Sequence, residues 1–322
     1  MSRFVICVTS AGRRVGLIRS FREDAAKLGV EIAVLALDRS PDLSSACAVA
    51  DFREAVPSCA DPAYPAAVLD ACRRHRATVV IPTIDTELPF LAASAGAFAS
   101  AGIHVVVSDS AAVAVARDKL ATARTLAAAG VPVPWTSTLS ETRVAPATAR
   151  FPAVIKPLDG SCSKGLRFAD GWDDIPGSLD GPSNLHQERC VGPEYTVNAF
   201  VDRSGTLRCA IPHLRIEVRG GEVSKGRTER VPALSAIARG ISGALPGLRG
   251  PFCFQAIMTE QGPRVFEINA RFGGGYPLAH AAGATFGGWI IREALGRPSG
   301  ADDNWSAGVL MLRYDSAVYL RP

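Results

Sequence analysis

The sequence lacks the features of a membrane, secreted or nucleic-acid-binding protein. It has no apolar run of about 18 residues, and it opens on Met1-Ser2-Arg3 without an apolar leader. Its eight cysteines form neither a C-x-x-C pair nor a metal-ligand spacing. The 35 Lys and Arg residues are balanced by 31 Asp and Glu residues without a long basic block. We therefore expect a cytoplasmic protein with reduced thiols that binds neither nucleic acid nor membrane.

A dinucleotide fingerprint is also missing. The loop after the first predicted strand runs Gly12-Arg13-Arg14-Val15-Gly16, where G-x-G-x-x-G would place glycine against a pyrophosphate. This argues against an NAD-dependent dehydrogenase. Arg13 and Arg14 at the start of a helix could instead hold a carboxylate, because guanidinium groups and free N–H groups both favour an anion there. Two solvated arginines in a turn are the alternative.

The chain is rich in apolar residues. They make up 48% of its 322 residues, which is enough to bury a sizeable core in two or three lobes. Short apolar runs at residues 4–9, 31–38, 78–82 and 103–108 alternate with helical patterns, which predicts a parallel, Rossmann-like α/β domain over residues 1–112. Residues 111–130 read as one Ala-rich helix. Short β runs then predict a small α+β lobe over 113–185, and longer ones a larger C-terminal lobe over 186–322.

The segment 264–275 contains three polar residues spaced two apart along a predicted strand. Glu267, Asn269 and Arg271 should share one face, with Phe266, Ile268 and Ala270 packed behind them. A carboxylate, an amide oxygen and a guanidinium side by side suit a hard cation that carries anionic phosphates. An edge strand with a polar outer face is the alternative.

A glycine- and serine-rich loop follows a second predicted strand, residues 153–157. Lys156 ends that strand, and residues 159–165 are small enough for backbone N–H groups and hydroxyls to converge on phosphate oxygens. The loop is not a P-loop, because G-x-x-x-x-G-K-[ST] is absent. A plain turn is the alternative interpretation.

In order along the chain, Asp118-Lys119, Ile155-Lys156-Pro157 with its loop, the segment 187–197, Gln255 and the strand 267–271 resemble the ATP-grasp superfamily. The likeness is strongest to carboxylate–amine ligases related to the carbamoyl phosphate synthetase large subunit, and it covers roughly residues 1–315. It implies a pre-ATP-grasp α/β domain followed by a two-lobed ATP-grasp fold. It also suggests a homodimer.

The resemblance implies an ATP site between the lobes. Lys119 and Lys156 would contact the α- and β-phosphates, and Glu194 would bind the ribose. The phosphate loop would contribute Gly160, Ser161, Ser163 and Gly165. The backbone that binds adenine would be that of Glu188, Arg189, Cys190 and Val191.

The same resemblance implies a metal site and a catalytic arginine. Gln255, Glu267 and Asn269 match ligands of Mg²⁺, or of Mn²⁺ in its place, and Arg271 matches the arginine that steadies the transferred phosphoryl group. Lys156 would share that catalytic role. Cys162 stands where relatives often have glycine, and Gln255 is a neutral ligand where many have a carboxylate.

Residues for a second substrate are less clearly marked. The fold would bring a set of basic residues to the cleft, and two acidic residues follow the third strand. Cationic groups could hold a carboxylate and acidic ones an amine, although a solvated charged face is the alternative for each. Besides Arg13 and Arg14, the candidates are Asp85, Glu87, His213, Arg215, Arg227 and Arg230.

The sequence therefore predicts a ligase that uses ATP to join a small carboxylic acid to an amine, with amino acids among the candidate substrates. The intermediate would be an acyl phosphate, and the products would include ADP and phosphate. Two alternatives stay open. One is an enzyme of this fold that phosphorylates or carboxylates a small acid; the other is a nucleotide-binding regulatory protein without turnover, which the residues Cys162 and Gln255 would fit.

Overall fold

The N-terminal domain is built on a parallel sheet. In a computed structural model that describes residues 3–158 and 165–320, five strands lie in the order β3-β2-β1-β4-β5 and every pair is parallel. The order of elements is β1 (Phe4–Val8), α1 (Val15–Lys27), β2 (Ile32–Asp38), α2 (Ser45–Val49), β3 (Phe52–Ala55), α3 (Tyr64–His75), β4 (Ala77–Ile81), α4 (Leu88–Ser100) and β5 (His104–Val105).

Apolar side chains cover both faces of this sheet. Alternate residues of β1 point to opposite sides, so Ile6 packs towards α1 while Cys7 packs towards α3 and α4. The α1 side continues into the C-terminal lobe through Phe272, Phe286 and Trp289. The two domains therefore share one hydrophobic core, which fixes the carboxyl ends of β1 and β4 against the second domain.

The Ala-rich stretch after the first domain forms two helices, whereas one was predicted. Helix α5 (Ser110–Arg117) ends at Asp118, whose extended backbone and carboxylate cap the N-terminus of α6 (Lys119–Ala128) through the N–H groups of Leu120 and Ala121. Aspartate is favoured at the N-cap position, where its carboxylate accepts hydrogen bonds from the first free N–H groups of the helix. The cap places Lys119 in the first turn of α6.

The small lobe is an antiparallel sheet. Four strands of the described chain lie in the order β6-β9-β7-β8, with β6 (Thr136–Thr138), β7 (Ala153–Pro157), β8 (Arg167–Ala169) and β9 (Asn184–Glu188). Helix α7 (Leu139–Val144) starts with a capping box between Thr138 and Glu141. The predicted boundary at 185 falls inside β9, so this sheet extends to Glu188.

The large lobe is a second antiparallel sheet. Within the described residues its six strands lie in the order β14-β13-β10-β11-β12-β15. They are β10 (Glu194–Val201), β11 (Leu207–Arg219), β12 (Glu222–Thr228), β13 (Gly250–Thr259), β14 (Gly262–Asn269) and β15 (Leu310–Leu312). Its helices are α8 (Pro232–Ala244), α9 (Tyr276–Ala281) and α10 (Phe286–Ala294).

The two faces of this six-stranded sheet differ in polarity. On the back face, residues such as Val197, Phe254 and Ile268 are buried against α5, α6 and α8. On the front face, Thr196 and Asn198 alternate with those residues along the strands and give that face polar groups. The predicted fold class, a parallel α/β domain followed by a two-lobed fold, is confirmed.

Among the residues that the structure describes, no helix combines the length and apolar character needed to cross a membrane.

Candidate active site

The front face of the large sheet aligns the predicted metal ligands. Gln255 of β13 lies directly opposite Glu267 of β14 and, on its other side, opposite Thr196 of β10. Residues paired across neighbouring strands project from the same face. Asn269, two residues after Glu267, projects with them. The strands therefore bring the three predicted ligands to one patch.

Hydrogen bonds connect the three predicted polar residues of β14. Asn269 Nδ2 donates to Glu267 Oε1 at 3.0 Å, and Arg271 Nη2 donates to Asn269 Oδ1 at 2.9 Å. Gln255 is half-buried, and its side chain forms no hydrogen bond within the described part of the chain. One carboxylate with two amide oxygens suits a hard cation only when further oxygens come from another molecule, such as a phosphate.

Phe266 departs from the predicted pattern. Ile268 and Ala270 pack on the back face as expected, but the pairing partner of β13 jumps from Glu267 to Val265, so Phe266 is the extra residue of a β-bulge. Its ring lies 5.6 Å from Lys156 Nζ of the small lobe. The bulge thus turns Phe266 towards the space between the two sheets.

Lys156 is the buried cation on the small-lobe side of this space. Only 8% of it is exposed, and its Nζ donates to Gln187 Oε1 at 2.8 Å. Burial, followed by repulsion from Lys119, lowers the pKa of Lys156 to about 8, although Glu267 acts in the opposite direction. Two mutually repelling ammonium groups, one of them desolvated, form a site that a polyanion would stabilise.

Lys119 borders the same space from the first turn of α6. Lys119 Nζ donates to the carbonyl oxygen of Leu158 at 3.3 Å, directly before the loop. The predicted loop residues Gly160, Ser161 and Ser163, and also Cys162, lie outside the described residues. Gly165 has a φ of +74°, and a Cβ there would lie 3.0 Å from Pro157 Cγ, so only glycine fits without strain.

The segment predicted to bind adenine links the two lobes. The N–H groups of Glu188 and Arg189 donate to Trp135 and Pro152, so both are occupied within the small lobe. The backbone groups of Cys190 and Val191 form no hydrogen bond within residues 3–158 and 165–320. These two residues therefore keep free donors and acceptors at the edge of the space.

Glu194 begins β10 on the front face. Its Oε1 lies 2.9 Å from Arg215 Nε in an ion pair whose N–H bond is not directed at the oxygen. Burial raises the pKa of Glu194, with Arg215 opposing that effect. Arg215 is held in addition by Thr196 and by the carbonyl oxygen of Gly221. Arg215 therefore positions Glu194 and is not a free cation.

The predicted substrate residues Asp85 and Arg14 meet Arg271 where the two domains join. Arg271 Nε and Nη2 both donate to Asp85 Oδ2, at 3.0 and 2.6 Å. Arg14 donates to the carbonyl oxygen of Thr83, at 3.3 Å. Burial alone would lower the pKa of Arg271, but the neighbouring acidic groups, Asp85 foremost and Glu267 among them, together outweigh burial and raise it. Arg271 is therefore a permanent cation anchored to the first domain.

Glu87 is fully buried and does not face the cleft. Its carboxylate accepts hydrogen bonds from Ser10 Oγ, from Tyr64 OH and from the N–H groups of Thr83 and Ile84. These bonds use its lone pairs inside the β4–α4 loop. Glu87 thus shapes the loop that presents Asp85.

The other basic candidates are not brought to the cleft. His213 is completely buried, and a Cβ on Gly275 would lie 2.8 Å from its Nε2, so the ring packs against residue 275, just before α9. Burial lowers the pKa of His213 to about 3. Arg227 follows Gly226, the front-face partner of Arg215, and so projects from the back face, where it pairs with Glu229.

Two more arginines are accounted for by their surroundings. Arg230 stacks on Trp305, with its Cζ 3.7 Å from the ring centroid, and pairs with Asp303. Arg230 thereby fastens the C-terminal segment. Arg13 is exposed.

Sequence reasoning missed residues that only the fold brings to the site. Gln187 has no predicted role beyond opening the segment 187–197, yet it binds the ammonium group of Lys156 across neighbouring strands. Glu222 had no signal in the sequence; its Oε1 lies 3.5 Å from Arg14 Nη1, and its Oε2 accepts a bond from Arg313. Alternation along β9 could have suggested Gln187, but nothing local to β12 marks Glu222.

Family models match both parts of the chain. The PylC-like N-terminal domain matches residues 6–106, and the ATP-grasp domain matches residues 116–275. Among curated proteins, the uncharacterized protein y4rH of Sinorhizobium fredii (strain NBRC 101917 / NGR234) is 31% identical over 185 residues. That match covers 49% of this chain and 36% of the relative, so the chain spans little more than a third of the length of that relative.

Solved structures of the same fold come from several enzymes. The biotin carboxylase domain of Hydrogenobacter thermophilus 2-oxoglutarate carboxylase, in complex with MgADP, ADP and bicarbonate, has a TM-score of 0.71 at 15% identity, covering 96% of this chain and 73% of that one. The L-amino acid ligase of Bacillus licheniformis has a TM-score of 0.67 at 19% identity, with coverages of 92% and 75%. N5-carboxyaminoimidazole ribonucleotide synthetase of Thermotoga maritima has a TM-score of 0.66 at 18% identity, with coverages of 94% and 78%.

At such identities these structures establish the fold alone. Together with the two matching domain models, they confirm the resemblance drawn from the sequence. The chain is a member of the ATP-grasp superfamily, with a PylC-like N-terminal domain followed by an ATP-grasp domain.

Proposed function

We propose that this protein is an ATP-dependent carboxylate–amine ligase that forms an amide through an acyl phosphate. The observation that carries the proposal is the meeting of Lys156 from the small sheet with Glu267 and Phe266 from the large sheet. A buried cation and a carboxylate that face one space from two lobes suit a nucleoside triphosphate with its metal ion.

The nucleotide would lie along this space. Lys156 and Lys119 supply positive charge for its phosphates, and the free backbone groups of Cys190 and Val191 suit the hydrogen-bonding edge of a purine base. Glu194, held by Arg215, has the carboxylate oxygens that ribose hydroxyls bind. The loop residues Gly160, Ser161, Ser163 and Gly165 would cover the terminal phosphates.

The residues of the front face fit Mg²⁺ bound together with ATP. Glu267, Asn269 and Gln255 would hold the ion, with Mn²⁺ as a substitute. When bound, Mg²⁺ neutralises phosphate charge and withdraws electrons from the phosphorus that is attacked. Because these ligands bring a single negative charge, binding should depend on the phosphate oxygens.

The reaction would have two steps. A carboxylate oxygen of the acid attacks the γ-phosphorus, the bond to the β-phosphate oxygen breaks, and ADP leaves. An amine nitrogen then attacks the carbonyl carbon of the acyl phosphate, phosphate leaves with the C–O bonding electrons, and the nitrogen loses one proton. Arg271, fixed by Asp85 and Asn269, would stabilise the charge on the transferred phosphoryl group in both steps.

The test is ADP release from Mg-ATP across a matrix of small acids and amines, measured singly and in pairs. We expect release that requires both an acid and an amine, with the amide detected by mass spectrometry. Hydroxylamine trapping of an acyl hydroxamate without amine dependence would instead indicate an acid-phosphorylating or carboxylating enzyme. ATP binding without ADP release in any pair would indicate a regulatory protein.

Glu267→Gln gives the matched mutational test. Removal of the only carboxylate among the predicted metal ligands should lower ADP release by about 100-fold or more, since electrostatic groups at phosphoryl-transfer sites have effects of this size. Glu260→Gln is the control, because Glu260 is exposed in the turn between the same two strands. Equal activity of the two variants would contradict the assignment of Glu267.

A further inference from the structure

Charged side chains line a closed path where the N-terminal domain meets the large sheet. Arg14 binds the carbonyl oxygen of Thr83, and Asp85 in the same loop binds Arg271. The chain then runs from Arg271 to Gly274, which lies against Glu222, and Glu222 returns to Arg14. We call this path the seam ring; its members are Arg14, Thr83, Asp85, Arg271, Gly274 and Glu222.

The two cations of the seam ring are held to different degrees. Arg271 donates to Asp85, to Asn269 Oδ1 and to the carbonyl oxygen of Phe272, whereas the contacts of Arg14 are weaker. Both contacts of Arg14 are long, 3.3 Å to the Thr83 carbonyl oxygen and 3.5 Å to the Glu222 carboxylate. The Arg14 side chain is 21% exposed to solvent, and the Arg271 side chain is 15% exposed. Burial, and after it repulsion from Arg271, lowers the pKa of Arg14. Within the described residues Arg271 keeps one N–H of Nη1 without an acceptor, and Arg14 keeps several. Two neighbouring guanidinium groups with donors of this kind suit one carboxylate.

Of the two anions of the seam ring, Asp85 keeps one oxygen free and Glu222 stays accessible although both of its oxygens have an arginine partner. Arg271 binds only Oδ2 of Asp85, and Oδ1 accepts no hydrogen bond within the described residues. Glu222 contacts Arg14 and Arg313, and Asp85 and Glu222 remain 32% and 35% exposed. Carboxylate oxygens that are accessible beside two arginines can bind an ammonium group.

Gly274 shows that the seam ring is built tightly. A Cβ at this position would lie 2.6 Å from Cδ and Oε1 of Glu222, a distance at which the carboxylate would have to move. Arg313 fixes both partners, because it donates to Glu222 Oε2 and to the carbonyl oxygen of Gly274, each at 2.8 Å. The position of Glu222 is thus fixed relative to Arg271, three residues before Gly274.

We propose that the seam ring binds the zwitterionic head of an α-amino acid, which is the acid substrate of the proposed ligation. Its carboxylate would lie between Arg14 and Arg271, and its ammonium group would bind Asp85 Oδ1 and Glu222. Arginines and carboxylates side by side in the seam ring favour a ligand that carries both an anionic and a cationic group. A simple acid would leave the two carboxylates unused, a dicarboxylate would bring its second anion against them, and an amine alone would face the arginines.

This inference rests on the proposed function, but its test does not need turnover. Binding is measured by calorimetry with the full chain, Mg²⁺ and β,γ-methylene-ATP. The ligands are the twenty common amino acids, each compared with the acid that lacks its amino group and the amine that lacks its carboxylate; alanine, propionate and ethylamine form one such set. We expect at least one amino acid to bind about tenfold or more tightly than both of its analogues. Equal binding of the amino-free acid, or no binding by any amino acid, would overturn the proposal.

Variants with matched controls test the individual contacts. Arg14→Met should weaken amino-acid binding about tenfold and leave β,γ-methylene-ATP binding unchanged, while Arg14→Lys should restore part of the loss. Arg19→Met is the control, since Arg19 is an exposed arginine of α1, the helix that Arg14 directly precedes. If Arg14→Met and Arg19→Met bind the amino acid equally well, the proposed role of Arg14 is refuted.

Glu222→Gln tests the ammonium contact separately. It should reduce the preference for the amino acid over its amino-free acid, whereas Glu217→Gln, an exposed carboxylate on neighbouring β11, should keep the preference. An unchanged preference in Glu222→Gln would contradict the assignment of the ammonium group. If ADP release fails for every pair while binding still depends on Arg14, the ligase proposal fails and the amino-acid site stands. If the enzyme ligates acids that lack an amino group, the ligase proposal stands and the amino-acid site fails.

Discussion

Nucleotide affinity should fall as the pH rises through the titration of Lys156. The pKa of this buried lysine is lowered to about 8, first by burial and then by Lys119. Only the ammonium form attracts phosphate, so a bound nucleotide should raise the pKa again. The nucleotide therefore binds best below pH 8, and its affinity is lost as the pH rises above that value.

The expected size of the effect follows from the fraction of charged lysine. With a pKa of about 8, Lys156 is about 90% charged at pH 7 and about 10% charged at pH 9. If the lysine stays charged in the complex, affinity should fall about tenfold over this range, or about 1.4 kcal/mol. The other groups near Lys156 are Glu267 and Cys190, and burial raises the pKa of Cys190, so its thiol should not titrate first.

The assay is calorimetric or fluorescence titration of a non-hydrolysable ATP analogue with Mg²⁺ at pH 7, 8 and 9. Lys156→Arg should bind with little pH dependence, because arginine stays charged throughout. Lys156→Met should bind weakly at each pH. Lys225→Met, which removes an exposed lysine of β12, should keep the wild-type profile. A tenfold fall that persists in Lys156→Met would refute the reasoning.

Two further predictions concern backbone and buried polar groups. Gly274→Ala should reduce ADP release while the protein stays folded, because its Cβ would displace the Glu222 carboxylate; Gly243→Ala, which has open space around its Cβ, should keep wild-type activity, and equal loss in both would contradict this explanation. Tyr64→Phe removes a hydrogen-bond donor from the buried Glu87 and should lower the free energy of unfolding in urea by about 1–3 kcal/mol, whereas an unchanged value would show that Glu87 does not depend on Tyr64.

Local pattern predicted the elements and the residues that lie close in sequence. The period-two spacing of Glu267, Asn269 and Arg271 placed them on one face, and the alternation of strands and helices gave the parallel domain. The turn of Phe266 towards the cleft could not be predicted, since a bulge depends on the partner strand β13. The break between α5 and α6 at Asp118 was not predicted either, because the Ala-rich composition is helical on both sides of it.

Long-range partners explain the remaining differences. Arg227 and Arg230 were expected at the cleft because they are basic and lie near a strand, but the register of β12 and the return of the C-terminal segment occupy them elsewhere. Glu222 and Arg14 are separated by some two hundred residues, and their proximity depends on how the two domains pack. No periodicity within one segment can encode such a contact.

The central claim is that Lys156 of the small lobe and Glu267 of the large lobe bind one metal-bound triphosphate. The most direct measurement is a crystal structure with Mn²⁺ and β,γ-methylene-ATP, in which anomalous scattering locates the metal. We predict a manganese peak in contact with the Glu267 carboxylate and a phosphate oxygen within hydrogen-bonding distance of Lys156 Nζ. Phosphates and metal bound elsewhere, with these two side chains contacting neither, would contradict the account.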